Sequence, residues 1–124
     1  MFKKSFIALS TSMMMATIVS PAFAGKADVV KATANQSGNS WSFSATVSHA
    51  DEGWKHYANS FQVLTIDGKV LGTRVLAHPH VNEQPFTRSL GGVAIPENVK
   101  KVRIRAGDLV HGYGGKEIVL TLQK

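Results

Sequence analysis

Over residues 41–48 the chain alternates without a break. Trp41, Phe43, Ala45 and Val47 fall on one parity, and Ser42, Ser44, Thr46 and Ser48 on the other. A side-chain period of two belongs to a β-strand with one apolar and one solvated face. Trp41 and Phe43 on the apolar parity are candidate core residues, and the run ends at His49. Six further strands can be placed around this one. Residues 25–34 alternate loosely and read as an edge strand, followed by a turn-rich stretch at 35–40. Residues 60–66 and 70–77 flank Asp67-Gly68, the pattern of a two-residue hairpin turn. Residues 87–95 contain Gly91-Gly92, which predicts a bulge or bend. Val102, Ile104 and Ala106 alternate with Lys101, Arg103 and Arg105 over 99–106, and Ile118, Leu120 and Leu122 alternate over 116–122. Seven short strands with no helical periodicity and no internal repeat predict an all-β, seven-stranded sandwich of immunoglobulin or fibronectin III type. A small barrel is the competing architecture.

The first 24 residues stand outside this pattern. Lys3 and Lys4 form a positive start, residues 6–19 are apolar and small, and Ala22-Phe23-Ala24 offers a small-x-small cleavage pattern. These are the marks of a secretory signal peptide, too short and too weakly apolar at its end to span a membrane. The expected division is therefore a leader at 1–24 and a sandwich domain at 25–124, exported to the periplasm or beyond. All four methionines leave with the leader, and the chain contains no cysteine. The domain thus has no disulfide and no sulfur ligand, and its stability must come from packing. Loss of two leader lysines takes the formal charge from +6 to +4. The remaining Lys and Arg are scattered, which disfavours nucleic acid as a partner.

Polar chemistry is concentrated in the connections. In a sandwich whose strands run up and down, alternate loops collect at opposite ends. Loops 49–59, 77–87 and 107–115 would share one pole, and they hold all five histidines: His49, His56, His78, His80 and His111. Asp51, Glu52, Glu83 and Asp108 add oxygen donors. Imidazole and carboxylate suit zinc, copper(II) or iron, whereas the missing thiolate and thioether argue against a dedicated copper(I) site. Pro79 and Pro85 stiffen the middle loop, and Pro79 forces His78 toward extended backbone, so His78 and His80 share a side. The expected metal ligands are His78, His80 and His111, with His56, Glu83 or Asp108 completing the set. Gln84 and Arg88 would orient the carboxylates, and His49, Trp54, Tyr57 and Tyr113 would surround the site.

Plainer readings compete with this one. Loop histidines commonly bond backbone carbonyls, Glu83 and Arg88 can be an ordinary ion pair, and Trp54 and Tyr57 can cover the end of the core. Gly112-Tyr113-Gly114-Gly115 reads as a tight turn. The same pole could instead dock a periplasmic protein through Trp54, Tyr57, Phe86 and Tyr113 without any metal. No nucleophile stands out, so hydrolysis would run only through a metal-bound water, and the sequence leans away from an enzyme.

Trp54-x-His56-Tyr57, the loop H-P-H-x-x-E-Q-P-F-T-R over 78–88 and D-x-x-H-G-Y-G-G over 108–115 resemble a group of small exported bacterial proteins of unassigned function. That resemblance implies no activity. His78-Pro79 with Glu83, and His111-Gly112, are also similar to motifs of the superoxide reductase (desulfoferrodoxin) iron domain, itself an immunoglobulin-like sandwich. Here Gln84 stands where that family has a histidine ligand, and Asp108 where it has the thiolate cysteine. The likeness implies a metal at this pole and not that family's reaction.

Overall fold

The computed structural model describes residues 25–124; the leader expected over 1–24 lies outside them. The described residues form seven strands and no helix: β1 Asp28–Ser37, β2 Ser40–Ser48, β3 Ala58–Thr65, β4 Val70–Val75, β5 Phe86–Val93, β6 Lys101–Asp108 and β7 Ile118–Thr121. They make two antiparallel sheets, in the order β1-β2-β5 and β4-β3-β6-β7. Among them no helix is long and apolar enough to cross a membrane.

The alternation of β2 does what its period requires. Trp41, Phe43, Ala45 and Val47 are buried, and the Ser and Thr residues between them are half-exposed. Phe43 joins Phe61 of β3, Phe86 of β5 and Val102 and Ile104 of β6 in one core between the sheets. Full burial of each such side chain contributes about 1.5–3 kcal/mol. On the outer face of the three-stranded sheet, Thr46 and Ser44 bond across to Thr87 and Ser89 at 2.7 and 3.1 Å. The expected irregularity of β5 is present, because the β2–β5 register slips between the Trp41–Val93 and Phe43–Leu90 pairs, with Gly92 at φ 66°.

Most strand boundaries shift by one to three residues from the sequence expectation, and three of the differences have a clear physical reason. β1 runs on to Ser37 and turns tightly through Gly38 and Asn39, since its polar residues lie on a solvated edge strand and need no loop. The connection of β3 to β4 spans residues 66–69 rather than 67–68. The Thr65 amide donates to the Lys69 carbonyl at 2.8 Å, and Gly68 takes a φ of 102°. β6 continues two residues past Ala106, so Asp108 ends a strand, pairing with Ala58 of β3, rather than sitting in a loop.

Candidate functional site

The inward parity of two strands does not stop at the hydrophobic core. On β2 it runs Trp41, Phe43, Ala45, Val47 and then His49; on β6 it runs Val102, Ile104, Ala106 and then Asp108. β2 and β6 belong to opposite sheets. One step past the last apolar residue of each therefore sets an imidazole against a carboxylate at one end of the core. His49 Nε2 donates to Asp108 Oδ2 at 3.0 Å, and neither side chain has any exposed surface.

Asp108 collects two more rings. Its Oδ2 accepts from His56 Nε2 at 2.6 Å and from His111 Nδ1 at 2.8 Å, and its Oδ1 accepts the His111 amide at 2.7 Å. The loop after β6 is closed by reciprocal backbone bonds between Asp108 and Gly112, whose φ of 68° favours glycine. That closure aims His111 back at the strand from which it departs. His111 is the solvent-facing member, with 34% of its side chain exposed.

Two further carboxylates stand behind the rings. Asp51 Oδ1 accepts from His49 Nδ1 at 2.6 Å and from the Ala58 amide at 3.0 Å, while its Oδ2 accepts the His80 amide at 2.7 Å. Glu52 Oε1 accepts from His56 Nδ1 at 2.8 Å. Gln84 staples two loops, its Oε1 accepting the His49 amide and its Nε2 donating to the His80 carbonyl.

A ring nitrogen bonds a carboxylate oxygen only when that nitrogen carries the proton. His49 and His56 each face carboxylates with both nitrogens. The hydrogen bond to Glu52 raises the pKa of His56 above the ordinary imidazole value; burial opposes it, and Asp108 adds to it. Burial would push the Asp108 carboxyl up. The bonds from the His111 ring and amide and from His56 outweigh it and hold Asp108 below the usual carboxylate range.

One atom from each of His49, His56 and Asp108 lies within 4.8 Å of the others, and all three residues are buried, a group able to hold a metal ion. The donors also suit one chemically. Asp51 and Glu52 fix the Nδ1–H form of His49 and His56 and turn each Nε2 inward, the arrangement by which a carboxylate orients an imidazole ligand.

The converging set is not the one the sequence put first. His56, Asp108 and His111 come together as expected, and His49, expected at the margin, stands inside. His80 is buried beside the cluster, 4.0 Å from Asp51 Oδ2 through Nδ1, but it stacks on Phe86 and its Nε2 accepts from Arg88 at 3.0 Å. Burial, then Arg88 and His78, lower its pKa. Among the described residues, His80 Nδ1 has no hydrogen-bond partner. His78 is exposed, bonded to the Pro79 carbonyl and tilted against the His80 ring. Glu83 is an exposed ion-pair partner of Arg88 at 3.3 Å. Tyr113 lies beneath Arg105 and bonds Ser60 at 2.9 Å. Trp54 packs edge-on to Tyr57 and is 67% exposed, so it does not cover the core. The contacts of Asp51 with His49 and of Glu52 with His56 are not in the sequence expectation, although the spacings His49/Asp51 and Glu52/His56 are visible in the sequence.

No protein-family model matches the chain, and no solved structure matches it. Over 99 residues the chain is 41% identical to a protein of Halomicrobium mukohataei named "Putative lipoprotein"; the match covers 79% of this chain and 48% of that protein. The chain thus spans about half the length of this relative.

Proposed function

We propose that this is an exported β-sandwich domain that binds one divalent transition metal, zinc, copper(II) or iron, at the pole where loops 49–57 and 109–117 meet, as a carrier, sensor or accessory protein. His49 Nε2, His56 Nε2 and Asp108 Oδ2 are its core ligands, with His111 as the ring open to solvent. The observation that carries this reading is the pair of carboxylates behind the rings: a merely structural histidine cluster does not require each Nδ1 to be fixed and each Nε2 to converge. The strand order β1-β2-β5 over β4-β3-β6-β7 supports an immunoglobulin or fibronectin III type of sandwich. Export, to the periplasm or beyond, rests on the leader pattern at 1–24 and on the relative named a lipoprotein. The superoxide reductase likeness carries less, because two of its matched positions, His78 and Glu83, stand outside the converging set.

Isothermal titration of metal-stripped protein with zinc and with copper(II) tests the proposal. One site of micromolar affinity or tighter, lost in Asp108→Asn and kept in His78→Ala, is the expected result. Affinity no better than about millimolar, where surface histidines bind adventitiously, overturns it.

A second reading is a docking module. Trp54, Val81, Leu109 and Val110 are all exposed, in the same three loops that carry the histidines. Under that reading Trp54→Ala weakens capture of a periplasmic partner and leaves metal affinity unchanged.

A further inference from the structure

Backbone from the start of the domain also reaches the cluster. The Gly25 carbonyl accepts from His49 Nε2 at 2.9 Å, the same nitrogen that faces Asp108. Gly25 is held there by the segment that follows it. Ala27 is fully buried. The Lys116 amide donates to Asp28 Oδ1 at 2.7 Å, and the Val29 amide donates to the Lys116 carbonyl at 2.9 Å. Gly115 lies so close to this segment that a Cβ there would overlap the Ala27 carbonyl. The placement of Gly25 against a converging ring is thus built by the strand behind it.

Gly25 is also the residue that the Ala22-Phe23-Ala24 pattern would leave first after leader removal. Hydrolysis of the Ala24–Gly25 amide by a leader peptidase adds water across the bond, giving Ala24 a carboxyl and Gly25 an amine. An amide nitrogen has no available lone pair; a terminal amine that has lost its proton does. Backbone nitrogen and carbonyl oxygen of one residue lie within about 3.6 Å of each other. Both can close a five-membered chelate on one ion, and glycine's backbone freedom lets them turn to the same side.

We infer that the α-amine of Gly25, freed when the leader is removed, is a further ligand of the His49–His56–Asp108 site, so that full metal affinity arises only in the processed, exported protein. This rests on the metal reading above and on cleavage after Ala24. Its consequence is regulatory, since the precursor would carry an incomplete site and escape loading before export.

The test compares two purified forms with copper(II) as the probe: a chain beginning at Gly25, and the same chain preceded by Ala22-Phe23-Ala24. Competition with a chelator should show the Gly25 form binding about 10–100-fold tighter, the scale on which a lost supporting group alters metal affinity. Incorporation of 15N-glycine should change the nitrogen hyperfine pattern of the copper spectrum in that form alone, which a merely steric effect of three extra residues would not do. Equal affinities, tighter binding by the longer form, or a spectrum indifferent to glycine labelling overturns the inference while leaving the metal site standing. Failure of both forms to bind better than about millimolar removes the metal reading and this inference with it. Amino-terminal sequencing of the exported protein must return Gly25, and any other terminus also overturns the inference.

Discussion

His56 holds two carboxylates apart, with Glu52 on Nδ1 and Asp108 on Nε2. Its pKa is raised, so the stability this arrangement contributes is fully present below the unfolded-state value of about 6.5 and is lost as pH rises through the higher folded value. Glu52→Gln should therefore lower the urea midpoint of the metal-free protein at pH 5.5 and leave it nearly unchanged at pH 8.5. An equal loss at both pH values would show that Glu52 acts by packing and not by charge. His80 has the opposite sign: burial lowers its pKa, so its contribution is present above about 6.5 and fades as pH falls. At this scale the sequence was partly legible. His56 and His111 reach the pole through the loops that carry them, and Asp108 reaches it as the last residue of β6. His49 looks like a loop residue because it follows the end of a strand, yet its parity continues Trp41, Phe43, Ala45 and Val47 inward to Asp108. His78 lies outside the converging group, since His-Pro-His guarantees proximity in sequence, whereas convergence depends on which face the strands turn inward.

Gly107 shows how an element reaches the site. A glycine after Ala106 reads as the end of a strand, yet β6 continues through it to Asp108, and the Tyr113 ring fills the space where a side chain would stand. A Cβ at Gly107 would lie 2.8 Å from Tyr113 Cε1, whereas a Cβ at Gly91 of β5 meets nothing within 4 Å. Gly107→Ala should thus cost about 1–3 kcal/mol, because the ring must leave its Ser60 bond and its place beneath Arg105. Gly91→Ala should stay within about 0.5 kcal/mol. Chemical denaturation of both, with Tyr113→Ala as background, settles the cause: the cost of Gly107→Ala should largely disappear once the ring is gone, and a cost that persists would place the strain in the backbone. The long alternating strands β2 and β6 could be read directly, since period two and burial agree. β1, the 66–69 turn and the end of β6 could not, because edge position, turn hydrogen bonding and a ring arriving from a later loop decide them.

At the scale of the molecule, the cluster closes one end of the core and joins segments distant in sequence. Gly25 precedes β1, His49 follows β2, His56 precedes β3, and Asp108 and His111 bracket the exit of β6. Asp51 and Gln84 draw in the loop after β4. The domain has no disulfide, so these contacts are its cross-links at that pole, and they exist only when the sheets are stacked. A metal bound there interacts with the folded chain and hardly with the unfolded one. Binding then adds about 2.7 kcal/mol of stability at a free metal concentration a hundred times Kd. For a domain of this size each kcal/mol moves the midpoint by about 4–8 °C, so saturating zinc should raise Tm by roughly 10 °C or more. The rise should vanish with chelator, shrink in His111→Ala, whose ring faces solvent and can be removed with little effect on the core, and survive in His78→Ala. A rise lost in His78→Ala but kept in His111→Ala would move the site to the proline-bounded loop. No rise in any form would leave the cluster as a hydrogen-bonded clamp between the two sheets.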